Sequence, residues 1–314
     1  MRFFARAPGK VIITGEHFVV HDSYALAGAI NRAATVEARA NDSMEIFSRN
    51  LALKASYPGK VPSSLAPIAE AAAATLDFLG LKKKVKLVID SDIPAGSGLG
   101  SSSAVAVASV AAIFALAGEE PVKQKLVELA MISERMVHGN PSGIDPSVSS
   151  YGGVLLFKKG KAPDLLRLGR PVEFVVAYSG IERKTSRLIK KVSSMKETFP
   201  NLFKALTSSS TTLSKIAASS LTSGDLQTLG SILNFYHMIL GRLGASSKVL
   251  DSMVEAALSE RCLGAKLTGA GGGGCVIALP EPSASRNVLS NLSKISKEAF
   301  VARLPVEGVR IWQK

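Results

Sequence analysis

A run of glycines and serines, Ile93-Pro94-Ala95-Gly96-Ser97-Gly98-Leu99-Gly100-Ser101-Ser102-Ser103-Ala104, joins two segments of opposite character. Before it, residues 85–90 (VKLVID) read as a well-bounded strand. After it, residues 101–117 are almost all small or apolar and read as a helix buried on most sides. A chain passing from strand to buried helix in so few residues must turn tightly, and glycine takes positive φ without a steric penalty. The first N–H groups of a helix lack partners within it, and the helix dipole is positive at that end. Such a turn is built to hold an anion, and phosphate suits it. A serine hydroxyl there can also reach a magnesium ion. The plainer alternative is an ordinary turn with a serine cap. Glycines and consecutive serines directly between strand and helix favour phosphate. No Gly-Lys-Ser/Thr follows, so the segment is not a Walker A loop, and it is not GxGxxG.

Two other segments carry candidate chemistry. In Pro8-Gly9-Lys10-Val11-Ile12-Ile13-Thr14-Gly15-Glu16-His17, a lysine opens and an acid and a histidine close a strand-like stretch, residues 7–14. Lys10 could neutralise phosphate or a developing alkoxide, and Glu16 and His17 could bind a polar substrate. A surface lysine and a capping glutamate are the alternative. In Glu134-Arg135-Met136-Val137-His138-Gly139-Asn140-Pro141-Ser142-Gly143-Ile144-Asp145, one carboxylate lies late in a helix and the other past a loop. Magnesium takes hard oxygen ligands and usually only one or two carboxylates. A second carboxylate nearby could take a hydroxyl proton. Against this stands a surface pairing of Glu134 with Arg135 or Arg39, and Asp145 as a turn cap. His138, one helical turn past Glu134, is more simply a packing residue.

Gly269-Ala270-Gly271-Gly272-Gly273-Gly274 matches GxGxxG, but a dinucleotide fold needs a helix next. Residues 275–279 (CVIAL) read as strand, and position 294 is lysine where an acid is wanted. The Rossmann reading is rejected. A glycine-rich backbone closing on a substrate is retained, with Gly271 as its candidate contact.

The 314 residues suit two domains. The net charge of +13 raises a nucleic-acid partner. The lysine groups lack interleaved aromatics, so a basic surface that draws anionic small molecules is favoured. Arg2 and Arg6 bracket too short an apolar stretch for a secretory signal, and residues 104–117 are too few to span a bilayer. Cys262 and Cys275 form no metal-ligand spacing. A cytoplasmic chain with no membrane partner is expected.

Pro121 should open a helix running toward His138, residues 154–157 and 172–178 read as strands, and helical patterns fill about 185–260. The Ser/Thr stretch 208–223 is expected to interrupt them as helix ends and a loop. The result is two α+β halves, 1–168 and 169–314.

Together the three segments resemble those of the GHMP small-molecule kinases, in the family's order and across most of the chain. PGKVIITGEHFVVH and ERMVHGNPSGID resemble the mevalonate-phosphorylating branch. The resemblance implies an N-terminal domain like ribosomal protein S5 domain 2 and a ferredoxin-like C-terminal domain. It implies transfer of the ATP γ-phosphate to the 5-hydroxyl of (R)-mevalonate, with Mg2+. ATP would lie on Pro94, Gly96, Ser97, Gly98, Leu99, Gly100, Ser101, Ser102 and Ser103. Asp145 and Lys10 would be catalytic, and Ser102 and Glu134 would hold the metal. Lys10, Glu16, His17, Asp145, Arg183, Thr185 and Gly271 would meet the substrate. Ser103, where the family often carries alanine, is a small departure. Oligomeric state stays open, a homodimer being one form. Two rivals remain: another GHMP enzyme such as phosphomevalonate kinase, homoserine kinase or a mevalonate 3-kinase, or a basic nucleic-acid module on an S5-like fold.

Overall fold

A computed structural model describes residues 1–57, 59–82, 84–182, 192 and 194–314. The first lobe opens with β1 (Phe3–Thr14), a short 3-10 turn (Val19–His21) and the long strand β2 (Tyr24–Ala40). A hairpin of β3 (Met44–Ser48) and β4 (Leu53–Tyr57), then α1 (Ala66–Phe78) and β5 (Val85–Ser91), follow. Next come α2 (Ser101–Leu116), α3 (Lys123–His138), α4 (Ile144–Tyr151), β6 (Val154–Lys158) and the two-residue β7 (Asp164–Leu165).

The second lobe holds β8 (Val172–Tyr178), α5 (Pro200–Ser223), α6 (Leu226–Arg242), α7 (Lys248–Leu258), β9 (Cys262–Thr268), β10 (Cys275–Pro280), α8 (Ser285–Ile295) and β11 (Glu298–Leu304). Its sheet runs β11-β8-β10-β9, antiparallel throughout, the ferredoxin-like order. The last strand, β12 (Arg310–Gln313), returns to the first sheet and pairs with residues 3–6 of β1.

In the first sheet the path is β12-β1-β2-β5-β3-β4. β2 is long enough to serve two partners on one side: its start pairs with β6 and its end with β5. Helices α1, α2 and α3 cover one face, over Ala5, Ala7, Val36, Ala38, Leu87 and Ile89. The opposite side meets the second lobe. β8 divides its residues by strand periodicity: Phe174 and Val176 pack toward Val11, Ile13 and Leu26, while Val175 and Ala177 pack under α6, α7 and α8. Both faces of β8 are therefore buried, which explains its nearly unbroken apolar run.

One expectation fails. The Ser/Thr stretch 208–223 is not a break but the body of α5. Thr212 and Ser220 return their hydroxyls to the carbonyls four residues back, at Ser208 and Ile216. Ser210 and Ser214 face the first lobe: Ser210 bonds Ser23 at 3.1 Å and Ser214 bonds Thr14 at 2.9 Å. The polar side chains have partners inside the fold, so the helix continues through them.

Candidate active site

The 93–104 turn forms as the sequence predicts, between β5 and α2. Gly100 precedes the helix at φ 78°, in the left-handed region. A Cβ there would stand 3.0 Å from Lys10 Cγ, so glycine serves both the turn and the lysine. Ser97 turns inward: its hydroxyl bonds the Pro94 carbonyl at 2.6 Å and accepts from the Leu99 N–H at 3.3 Å. The Leu99 carbonyl in turn accepts the Lys10 N–H at 2.8 Å. Ser97 and Leu99 are thus buried residues that shape the turn. Gly96, Gly98, Gly100, Ser101 and Ser102 line a cavity of about 300 Å³.

Lys10 sits where β1 shifts register against β2, between Pro8 and Lys10. Such an irregularity re-aims a side chain. Its ammonium is almost wholly buried and pairs with Asp145 Oδ1 at 3.2 Å. Asp145 does not merely follow the loop, as read from the sequence, but lies in the first turn of α4, near its positive end.

Glu134 belongs to the buried stripe of α3, with Leu126, Leu129, Ala130 and Ser133 at helical spacing. The surface pairing weighed above is absent. Its Oε1 accepts hydroxyl bonds from Ser103 at 2.5 Å and Ser102 at 3.3 Å, and Oε2 lies 3.9 Å from His138 Nε2. Burial, and then the nearby Asp145 charge, push its carboxyl above the usual range.

A second cavity, of about 170 Å³, is lined by Lys10, Glu16, His17, Glu134, His138 and Asp145 among others. His138 and Asp145 border both cavities. His17 takes a positive φ of 64°, unusual for a non-glycine, and its Nε2 lies 2.9 Å from the Ala270 carbonyl. Burial lowers its pKa. Gly269 and Ala270 form the wall, whereas Gly271 lies behind it: a Cβ on Gly271 would stand 2.0 Å from the Ala245 carbonyl. Arg183 and Thr185 lie outside the described residues.

Sequence reasoning missed Lys266. It reaches from β9 to Glu16 as an ion pair with essentially no solvent exposure. Its ammonium also donates to the Leu267 carbonyl at 2.6 Å and lies 5.6 Å from the Tyr236 ring centre. Burial raises the Glu16 pKa and lowers that of Lys266, each opposed by the other's charge. The signal was a lone lysine in the otherwise uncharged strand CLGAKLT.

Comparison with known proteins places this geometry. Residues 66–153 match the GHMP kinases N terminal domain and 217–297 the GHMP kinases C terminal domain. The chain is 36% identical to a mevalonate kinase of Pyrococcus horikoshii and 34% identical to that of Aeropyrum pernix, over 98% of this chain and 97% of each relative. This chain belongs to the mevalonate kinase family of GHMP kinases. The crystal structure of L. major mevalonate kinase in complex with R-mevalonate superimposes with a TM-score of 0.82 at 26% identity, covering 96% of both chains. The two family domains thus fall one in each lobe. Among the described residues no helix is long and apolar enough to cross a membrane.

Proposed function

We propose that this chain moves the γ-phosphate of ATP onto the 5-hydroxyl of mevalonate, with Asp145 and Lys10 at the reacting oxygens. As a GHMP kinase the chain is an ATP-dependent phosphotransferase acting on an alcohol. The observation that carries the reading is the position of Asp145: it borders both cavities and pairs with buried Lys10.

ATP belongs in the cavity along Gly96 to Ser102, with its phosphates at the start of α2. The far end of that cavity, lined by Leu51, Leu65, Pro67 and Ile68, is apolar enough for a purine base. Mevalonate belongs in the smaller cavity, beside Glu16 and His17. Arg183 and Thr185 are further candidate contacts on the resemblance alone. Gly271 acts through the wall it supports.

Phosphoryl transfer asks mainly for alignment and charge neutralisation, because its transition state is loose. Asp145 orients the hydroxyl and accepts its proton, and Lys10 offsets the charge that develops on the oxygens. Magnesium fits the oxygen donors available. Glu134 and Ser102 would hold it, two hard ligands of the kind that leaves room for phosphate and water. When bound, it neutralises charge on the β- and γ-phosphates.

ADP release measured with Mg-ATP, with and without mevalonate, tests the proposal. Mevalonate-dependent turnover is expected. ATP binding without any stimulation by mevalonate would overturn the acceptor assignment and point to another GHMP substrate.

A further inference from the structure

We infer that Ser103 is a positioning residue for cation binding: its hydroxyl fixes the Glu134 carboxylate so that one oxygen is held and the other is presented. The inference rests on the assignment of Glu134 as a cation ligand.

Ser103 is fully buried and lies in the first turn of α2. The cap position of α2 is Gly100, and Ser103 stands inside the helix rather than at its cap. The Ser103 hydroxyl goes to Glu134 Oε1 at 2.5 Å, closer than that of Ser102 at 3.3 Å. Nor does Ser103 border either cavity, whereas Glu134 borders one and Ser102 the other. It can therefore influence a bound cation only through Glu134.

The need for such a restraint follows from the glutamate's side chain. Three torsions separate its carboxylate from the backbone, and the ordinary choice for a buried carboxylate is to fold toward whichever donor is near. Two hydroxyls converge on Oε1, and among the described residues Oε2 has only His138 as a polar neighbour, at 3.9 Å. The carboxylate is thereby held with one oxygen engaged and the other available. Packing gives no separate reason for the hydroxyl: α2 here reads SSSAVAVAS, and an alanine would fit the same space. Hydrogen bonds that hold a metal-ligating side chain are typically worth about 10–100-fold in metal affinity or activity. Because Ser102 remains, about tenfold is expected for Ser103.

The test is the affinity of a non-hydrolysable ATP analogue, measured by calorimetry with and without Mn2+, for the wild type, Ser103→Ala and Glu134→Gln. Ser103→Ala should keep the metal-free affinity, lower the melting temperature by no more than one lost buried hydrogen bond does, and lose about tenfold of the gain that Mn2+ confers. An undiminished gain in Ser103→Ala, alongside its loss in Glu134→Gln, overturns the role of Ser103 and leaves Glu134 as ligand. An equal loss with and without Mn2+ overturns it too, and makes Ser103 a support of the phosphate turn. A gain that survives Glu134→Gln overturns the ligand assignment itself.

Discussion

Lys266 on β9 and Glu16, in the turn just past β1, form a buried ion pair across 250 residues of sequence. It joins the two lobes at the floor of the smaller cavity. Among the described residues, the buried Glu16 Oε2 has no hydrogen-bond partner. Removing one member of a buried pair strands the other's charge, typically at about 3–5 kcal/mol. Lys266→Met should lose roughly that much stability, and Lys266→Met with Glu16→Gln should lose less than the sum of the single changes. Urea unfolding of the four proteins measures this; strict additivity would mean that the two residues are not coupled.

Asp145→Asn should lower kcat by about 10²–10⁴-fold, the usual worth of general-base help. The amide keeps the shape but cannot take a proton. Nucleotide affinity should change little. Near-normal turnover in a folded Asp145→Asn protein would remove Asp145 from the proton-accepting role.

Gly100→Ala should cost roughly 1–2 kcal/mol in stability, since alanine resists the left-handed conformation. Its activity should fall further than that loss explains, because the new methyl crowds Lys10 and displaces it from Asp145. Paired measurements of melting temperature and kcat decide the point. A destabilised but fully active variant would show that Lys10 tolerates the shift.

His17 is held neutral by burial, so its folded pKa lies below the unfolded value of about 6.5. Below that pH the unfolded chain binds the proton more readily, and stability falls with pH. The contribution is fully present above the unfolded value and is lost as pH drops toward the folded one. The raised carboxyls of Glu16 and Glu134 work in the opposite direction, the folded state holding protons to higher pH. Comparison with His17→Asn isolates the histidine: the wild type's advantage in melting temperature should shrink between pH 7.5 and pH 5.5. A constant difference over that range would show that His17 does not titrate as a buried neutral group.

What could be read before the structure was local. The turn at 93–104 and the strand 172–178 announce themselves because glycine, serine and unbroken apolar runs have few other uses. β2 does not. Its sequence YALAGAINRAATVEARA is rich in alanine, a strong helix former, and only its neighbours β1, β5 and β6 make it a strand. The length of α5 was hidden for a related reason: serines that usually favour turns find partners on another lobe. In the site, Lys10, Glu134 and Asp145 stand out by type and order. Lys266 does not, because a single lysine in a strand gives no hint of a partner so far away in the chain. Ser103 looked incidental until its hydroxyl could be traced to Glu134.

The pairing of β12 with β1 also sets a condition on synthesis. Residues 3–6 are synthesised well before residues 310–313, which pair with their outer edge. Until then the first lobe carries an unpaired strand edge, a surface that invites association with other chains. A fragment ending after β7 would keep that edge exposed permanently. The lobe that carries the phosphate turn is thus completed only after the second lobe has been synthesised, and a chain cut short between β7 and β12 leaves a sticky product rather than a smaller working domain.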